Sequence, residues 1–179
     1  MSPILIRAAF PADSPAIACI YGHHARNGTA TFDVEGPGAD DWAVKISALD
    51  SRGWPFLVAQ SEGQVVGLAY AAQFRDRPAY VHACESSIYV ASDHVGRGIG
   101  SKLLEALKTA ALNAGFDQMI AVVGGGEPAS IALHRKCGFV ERGRMVDVGL
   151  KFGRRLDTVY LQCALANSAA NSGANPGAA

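Results

Sequence analysis

The segment Val95-Gly96-Arg97-Gly98-Ile99-Gly100-Ser101-Lys102 separates two stretches of different hydrophobic periodicity. Before it, residues 86–90 are rich in β-branched and aromatic side chains and predict a strand. After it, apolar residues recur at helical spacing and predict an amphipathic helix of several turns. A glycine turn between a strand and a helix directs backbone N–H groups and the positive end of the helix dipole at one point. The segment therefore predicts a site for a phosphate or pyrophosphate, and hence for a phosphorylated cofactor.

Two common phosphate-binding loops do not fit this segment. The P-loop ends in Gly-Lys-Ser/Thr, whereas this loop ends in Gly100-Ser101-Lys102, with the last two residues reversed. A dinucleotide-binding loop keeps the spacing Gly-x-Gly-x-x-Gly near the start of a βαβ unit, and these glycines lie past mid-chain with a different spacing. On the loop alone, a plain glycine-rich turn at a helix start stays open as an alternative.

The elements that follow the loop narrow the choice between a phosphate-binding loop and a plain glycine-rich turn. A second strand is predicted over residues 118–123 and a short helix over residues 128–137, followed by Gly138-Phe139-Val140-Glu141-Arg142-Gly143. This succession resembles the GNAT N-acetyltransferases, whose pyrophosphate loop reads Gln/Arg-x-x-Gly-x-Gly/Ala. Gly98-Ile99-Gly100 matches the second half of that motif. Val95 stands where the family has Gln or Arg, so one side-chain contact to the cofactor is expected to be missing.

Within that superfamily the sequence resembles the phosphinothricin and methionine sulfoximine acetyltransferases, from about Ile4 to Leu165. The matching blocks are Ile20-Tyr21, Thr31-Phe32, residues 85–90, Ser130 with Leu133-His134, and residues 148–154. The resemblance implies an α/β fold with a central, mostly antiparallel, splayed sheet flanked by helices. We expect one acetyltransferase domain over residues 1–165 and a disordered tail over residues 166–179, because the tail has almost nothing apolar to bury.

Composition excludes several classes of protein. With 179 residues and 49% hydrophobic content, the chain is long enough for one domain with a substantial core. Sixteen basic and sixteen acidic residues leave no net charge and no basic stripe, so nucleic acid is not an expected partner. No apolar run reaches the length of a membrane span, and a signal peptide is not expected because the first residues lack an apolar h-region. The four widely spaced cysteines lack a metal-ligand pattern and are expected to be buried thiols of a cytoplasmic protein.

The remaining elements are predicted from local patterns. A first strand covers residues 4–7, and a helix capped by Asp13-Ser14 follows, with Pro15 in its first turn. Residues 28–32 form a loop, and a second helix spans residues 39–49. Two strands, residues 56–59 and 65–70, flank the turn Glu62-Gly63 as a hairpin. A strand over residues 81–90 leads into the glycine loop, and residues 143–150 and 158–165 predict a final hairpin.

Glu85 is the candidate general base. Acetyl transfer to an amine requires an unprotonated amine, so a base or a water relay must take the ammonium proton. Glu85 lies on the strand that leads into the glycine loop and shares a face with Ser87 by strand alternation. Partial burial there would raise the pKa of the carboxyl toward neutrality. The resemblance implies a catalytic role for Glu85, acting through water, whereas an ordinary exposed strand glutamate is the alternative.

The acceptor site is expected around the same strand. The guanidinium groups of Arg75 and Arg77 suit an oxyanion, and the resemblance implies that their segment holds the phosphinate or sulfoximine end of the substrate. A solvated loop is the alternative for both arginines. Phe32 is expected as an apolar wall of the pocket or as a core residue. Ser86 and Ser87 complete the predicted acceptor site beside Glu85.

The cofactor site is expected to use backbone and side-chain groups. The resemblance implies that residues 88–90 pair with the pantetheine arm as a pseudo-strand. His134 stands where the superfamily carries a Tyr near the cofactor sulfur and could donate a proton to the thiolate, or it could be a packed helix histidine. Glu127 replaces a cofactor-binding Asn, which places that contact in doubt. The full predicted cofactor set is Ile88, Tyr89, Val90, Val95, Gly96, Arg97, Gly98, Ile99, Gly100, Ser101, Glu127 and Ser130.

The resemblance implies an acetyl-CoA-dependent N-acetyltransferase that needs no metal and acts on the α-amine of a small amino-acid analogue. Phosphinothricin, methionine sulfoximine or sulfone, or an arsenic analogue is the expected acceptor, with detoxification as the consequence. The resemblance alone also implies a homodimer. A polyamine, aminoglycoside or protein N-terminus as acceptor, and a non-catalytic CoA-binding sensor, stay open as alternatives. Residues 151–154 are expected to border the acceptor site or a dimer interface.

Overall fold

The computed structural model describes residues 3–165, which form a seven-stranded sheet and four α-helices. The strands are β1 (Leu5–Ala8), β2 (Phe56–Ser61), β3 (Gln64–Gln73), β4 (Ala83–Val90), β5 (Gln118–Gly124), β6 (Val140–Lys151) and β7 (Arg154–Ala164). The helices are α1 (Ser14–Asn27), α2 (Ala39–Asp50), α3 (Ile99–Asn113) and α4 (Pro128–Lys136). The strand order is β1-β2-β3-β4-β5-β7-β6, and only the β4–β5 pair within this range is parallel. The predicted mixed, mostly antiparallel fold is confirmed.

Two apolar cores hold the helices to the sheet. One contains Leu103, Leu104 and Leu107, which recur on one side of α3 and are fully buried against the sheet. The other joins α1 and α2 to the sheet through residues such as Ile17 and Trp42. Because successive strand residues point to opposite faces, the strands β2, β3 and β4 contribute to both cores, whereas β5 and β7 contribute to the first alone. The sheet is therefore a rigid support for whatever lies at its centre.

The sheet divides where β4 and β5 separate. Residues 83–86 of β4 pair with residues 118–121 of β5, and the ladder then ends. Residues 87–90 continue to pair with β3 on their other side. The C-terminal ends of β4 and β5 thus leave backbone groups facing each other across a gap. This is the splay that the resemblance implies, and it positions the candidate site.

Several local expectations need correction. Asp13 occupies the first position before α1 but does not cap it through its side chain, because its carboxylate accepts hydrogen bonds from Arg7 and from the Phe10 N–H instead. Cys19 is exposed, since it lies on the side of α1 opposite Ile17 and Ile20, whereas the other three cysteines are buried as expected.

The strand boundaries also differ from expectation. The strand β4 begins at Ala83 rather than Val81, because residues 78–80 form a 3₁₀ turn that begins with a proline. The final hairpin is present but longer than expected, and its strands begin at Val140 and Arg154. The predicted disordered tail, residues 166–179, lies outside the described residues.

Candidate active site

A cleft of about 820 Å³ occupies the gap where β4 and β5 separate. One side is formed by the end of β4, the glycine loop and the first turn of α3. The opposite side is formed by α4, the end of β5 and the loop that follows α1. The predicted site residues that line it are Phe32, Glu85, Ser86, Ser87, Ile88, Tyr89, Val90, Val95, Gly96, Gly98, Ile99, Gly100, Ser101, Glu127, Ser130 and His134. Three predicted residues, Arg75, Arg77 and Arg97, do not line the cleft.

The glycine loop requires its glycines for two different reasons. Gly96 and Gly98 have φ angles of 82° and 77°, which side-chain-bearing residues rarely adopt. Gly98 immediately precedes the first helical residue of α3, so the loop presents the N–H groups of that helix end to the cleft. Gly100 lies in the helix, where an added Cβ would come within 3.1 Å of the Leu133 side chain. The guanidinium of Arg97 turns away and donates to the Asp93 carbonyl.

The end of β4 offers backbone groups to a ligand in the cleft. Residues 88–90 pair with β3 on one side, and β5 has moved away on the other. One carbonyl in this stretch is engaged already, because His24 Nε2 donates to Val90 O at 2.8 Å. That hydrogen bond joins α1 to the cleft and was not foreseen from the sequence. The groups left on the β5 side suit an extended ligand that pairs like a strand.

Glu85 lies at the middle of the cleft floor and is about two-thirds buried, with 35% of its side chain exposed. Burial raises the pKa of its carboxyl above the ordinary value, while the positive charges of Arg75 and Lys45 oppose that rise. Ser87 lies on the same face of β4, as the alternation predicts, whereas Ser86 is on the other face and donates to Ile120 O. A half-buried carboxylate with a raised pKa is suited to take a proton near neutral pH.

The two predicted arginines have different surroundings. Arg75 Nη1 lies 3.9 Å from Glu85 Oε2, and its guanidinium stacks on the Phe74 ring at 4.1 Å. Arg77 is exposed in the loop after β3, where its carbonyl accepts a hydrogen bond from Gln73. The structure therefore brings Arg75 next to Glu85, on the side of the cleft where the acceptor is expected (the acceptor side). Arg77 is left at the surface.

A lysine–tyrosine pair completes the acceptor side. This pair was not predicted from the sequence. Lys45 Nζ on α2 donates to Tyr70 Oη at 2.8 Å and lies 4.0 Å from the centre of the Tyr70 ring. Tyr70 is opposite Ser87 in the β3–β4 ladder, which places it on the face of Glu85. Because Lys45 can only donate, the Tyr70 O–H proton is free to be donated into the cleft. The register between β3 and β4 places Tyr70 on the same face as Glu85. The residues next to Tyr70 in the sequence do not show this.

The loop after α1, residues 28–33, forms the outer wall on the acceptor side. Lys151 Nζ donates to Gly28 O and Thr31 O, both at 2.8 Å, and Lys151 is 3% exposed. Tyr21 Oη hydrogen-bonds with Thr31 Oγ1 and donates to Asp33 Oδ2. Lys151 therefore holds residues 28–33, the loop beside which the acceptor is expected and which we call the acceptor loop.

His134 is buried on α4 and holds a defined tautomer. Its Nδ1 is 2.8 Å from the Ser130 carbonyl, which can only accept, so Nδ1 carries the proton. Its Nε2 has no hydrogen-bond partner within residues 3–165, and burial lowers the pKa of the ring below its ordinary value of 6.5. In this tautomer Nε2 has no proton to give. Donation to a thiolate would require prior protonation of the ring, which burial opposes.

Residues 3–165 contain no group of three or more His, Cys, Asp or Glu side chains that could hold a metal ion. None of the helices described is both long and apolar enough to cross a membrane.

Comparison with known proteins places this cleft in a family. The pattern of the Acetyltransferase (GNAT) family matches residues 21–139. A phosphinothricin N-acetyltransferase of Alcaligenes faecalis is 41% identical over 158 residues, which cover 88% of this chain and 80% of that protein. An L-methionine sulfoximine/L-methionine sulfone acetyltransferase of Pseudomonas aeruginosa is 40% identical over 161 residues, covering 88% and 92% of the two chains.

The solved structures agree with the sequence relatives. The crystal structure of a GNAT superfamily phosphinothricin acetyltransferase from Sinorhizobium meliloti, in complex with AcCoA, has a TM-score of 0.90 and 41% identity to this chain. The match covers 98% of this chain and 95% of that one. The likeness to this acetyltransferase thus covers nearly the whole fold. It includes the strand order, the splay between β4 and β5 and the glycine loop. The chain belongs to the GNAT acetyltransferase family.

Proposed function

We propose that this protein transfers the acetyl group of acetyl-CoA to the α-amine of a small amino-acid analogue. Phosphinothricin and methionine sulfoximine or sulfone are the acceptor class that the names of its relatives support. The observation that carries the proposal is the position of Glu85, a half-buried carboxylate at the point where β4 and β5 separate. Acetylation removes the ammonium charge of the acceptor, so detoxification or resistance is the physiological consequence that we propose.

The residues present fit acetyl-CoA. The positive-φ glycines Gly96 and Gly98 place the N-terminal N–H groups of α3 where a pyrophosphate needs donors. The unpaired side of residues 88–90 suits the amides of a pantetheine arm, and the Ser130 and Leu133 side chains form the opposite wall. When bound, acetyl-CoA supplies the activated acetyl thioester. Val95 cannot add a polar side-chain contact, so the backbone carries the pyrophosphate binding.

Glu85 prepares the acceptor amine. An α-ammonium has no lone pair, so it becomes a nucleophile only when a base accepts its proton. We assign this step to Glu85, directly or through a water, because its raised pKa and its place in the cleft suit proton transfer near neutral pH. We also propose His134 as a second catalytic residue, in the role of a hydrogen-bond acceptor, because in this tautomer its unpartnered Nε2 has no proton to donate to a thiolate.

The charges around Glu85 select the acceptor class. Arg75 and Lys45 place two cationic groups beside the carboxylate, and Tyr70 adds a free O–H donor. Such a pocket attracts the carboxylate and the oxo groups of an amino-acid analogue. It repels a polyamine or an aminoglycoside, whose further ammonium groups would approach the same two cations. Phe32 gives this side an apolar wall, whereas Arg77 is exposed outside the cleft and is assigned no contact to the acceptor.

Two alternatives are separated by one experiment. The fold also matches a structure named as a ribosomal-protein-alanine N-acetyltransferase from Brucella melitensis, at 40% identity, so a protein N-terminus is the second candidate acceptor. A sensor that binds CoA without turnover is the third possibility. Acetyl-CoA consumption is measured against phosphinothricin, methionine sulfone, glutamate, spermidine and an alanine-starting peptide. Turnover of the first two alone supports the proposal, turnover of the peptide or the polyamine alone overturns the acceptor class, and tight CoA binding without turnover supports a sensor.

We also propose that the protein acts as a homodimer in the cytoplasm. The edge strand β6 exposes a row of large apolar side chains, among them Val146, Val148 and Leu150, beside the acceptor loop. An apolar edge of this size is typical of an interface between protein chains. Buried free thiols and the need for acetyl-CoA support the cytoplasm. Sedimentation of the protein and of Val148→Asp tests the dimer, which the substitution should dissociate.

A further inference from the structure

The turn between β5 and α4 holds the acceptor loop at close range. Three consecutive glycines, residues 124–126, precede Glu127 at the start of α4. A Cβ at Gly125 would lie 2.6 Å from Thr29 Oγ1, and a Cβ at Gly124 would lie 3.0 Å from Thr29 O and from the Phe32 ring. Only residues without side chains allow the loop to approach this turn so closely.

A side-chain hydrogen bond joins the loop after α1 to the start of α4 at this turn. Thr29 Oγ1 donates to Glu127 Oε1 at 3.1 Å, and both residues are half-buried. Glu127 is in the position that would cap α4, yet its side chain makes no capping hydrogen bond. The carboxylate is instead directed to the acceptor loop.

We propose that Glu127 is a positioning residue that couples acetyl-CoA binding to the shape of the acceptor loop. This inference rests on the proposed function for the identity of the two ligands. Ser130, Leu133 and His134 of α4 line the cofactor side, so a bound cofactor restrains α4. Glu127 transmits this restraint to Thr29, and the loop carries Phe32 to the acceptor side. An acceptor then meets an ordered wall and loses less conformational entropy on binding.

The coupling must act in both directions. If CoA orders the acceptor loop, then the acceptor strengthens CoA binding by the same factor. The net contribution of a typical intramolecular hydrogen bond corresponds to about a fivefold change in an equilibrium constant. We therefore expect the affinity for CoA to rise about fivefold when methionine sulfone is present, and CoA without an acetyl group keeps the pair unreactive.

Hydrogen exchange tests the inference without any acceptor. Amide exchange of residues 29–33 is measured with and without CoA in the wild type, Thr29→Val, Glu127→Ala and the conservative variants Thr29→Ser and Glu127→Gln. CoA should slow exchange of the loop about fivefold in the wild type and in both conservative variants, which keep a hydroxyl donor and a carbonyl acceptor. The protection should be lost in Thr29→Val and Glu127→Ala. Thr109→Val, on the exposed side of α3, is the matched control and should behave as the wild type.

The results separate this inference from the proposed function. Equal loop protection in Glu127→Ala and the wild type, or no protection in the wild type, would overturn the coupling whatever the acceptor is. Failure to acetylate any amino-acid analogue would instead overturn the proposed function. If Glu127→Ala does not fold, Thr29→Val against Thr29→Ser gives the same comparison, and the CoA affinity with and without methionine sulfone should show the same pattern of loss and retention.

Discussion

Arg75 Nη1 and Glu85 Oε2 lie 3.9 Å apart, within the range of an ion pair but beyond that of a hydrogen bond. Burial raises the pKa of Glu85, and this arginine is the strongest of the charges that oppose the rise. In the role that we propose for Glu85, the pair keeps the carboxylate ionised enough to act as a base while leaving its oxygens free for an amine or a water.

Removing Arg75 should move the pH dependence of catalysis. Arg75 favours the charged form of Glu85, so Arg75→Met should raise the pKa of Glu85 further and shift the acidic limb of kcat/KM toward higher pH. Rate profiles between pH 5 and 9, with Arg52→Met as a control outside the cleft, check this. An unchanged acidic limb would mean that Glu85 does not control the profile.

Gly98→Ala should weaken cofactor binding through the backbone alone. No atom lies within 4 Å of a Cβ built at Gly98, but its φ of 77° costs an L-residue about 1–2 kcal/mol. We expect a similar loss of unfolding free energy in Gly53→Ala, whose φ is 68° and whose surroundings are also open. Only Gly98→Ala should lower acetyl-CoA affinity in titration calorimetry. Equal affinity in both variants would contradict the assignment of this loop to the pyrophosphate.

Lys151→Met should damage the acceptor side selectively. The substitution leaves the Gly28 and Thr31 carbonyls without their shared donor, at a cost of about 1–3 kcal/mol in unfolding free energy. The acceptor KM should increase by a larger factor than the acetyl-CoA Kd, because Lys151 holds the acceptor loop directly and reaches the cofactor side only through the Thr29–Glu127 hydrogen bond. Steady-state kinetics and calorimetry test this, and an effect on acetyl-CoA alone would contradict it.

His134 should make the protein less stable in mild acid. Its pKa in the folded chain is lowered, so below pH 6.5 the unfolded chain binds a proton that the folded chain resists. Stability should therefore fall as the pH decreases from 6.5 toward the folded-state pKa. Urea unfolding at pH 8 and pH 5.5 should show a smaller pH effect in His134→Asn, which keeps an N–H donor for Ser130. An equal pH effect in both proteins would contradict the burial of a neutral ring.

Local sequence patterns predicted the parts of the site that depend on neighbouring residues. The glycine loop, the strand that carries Glu85 and the helices on either side follow from spacing and turn chemistry, and their positions are confirmed. The resemblance supplied the splay. Lys45 and Tyr70 could not be found this way, because strand register and the packing of a helix bring them together from distant parts of the chain. Residues 151–154 were singled out, but the hydrogen bonds of Lys151 to the loop after α1 were not predicted.

The side chains of Arg77, Arg97 and Asp13 lie away from the positions predicted for them. Arg77 and Arg97 are next to residues of the site in sequence, yet a turn and a hydrogen bond to Asp93 direct them away from the cleft. Asp13 is in the position of a helix cap before α1, but its carboxylate forms an ion pair with Arg7 on β1. The contacts at these positions are only four to six residues apart in sequence, but they depend on how the backbone bends, which residue spacing alone does not specify.

Glu85→Gln tests the central claim most directly. Acetyl transfer to phosphinothricin and methionine sulfone is measured for the wild type, for Glu85→Gln and for the surface control Glu141→Gln, together with the acetyl-CoA Kd of each. Loss of a general base should lower kcat by about 10²–10⁴-fold in Glu85→Gln at an unchanged Kd, and the control should match the wild type. A Glu85→Gln variant that retains wild-type kcat on these acceptors would contradict the assignment of Glu85 as the base.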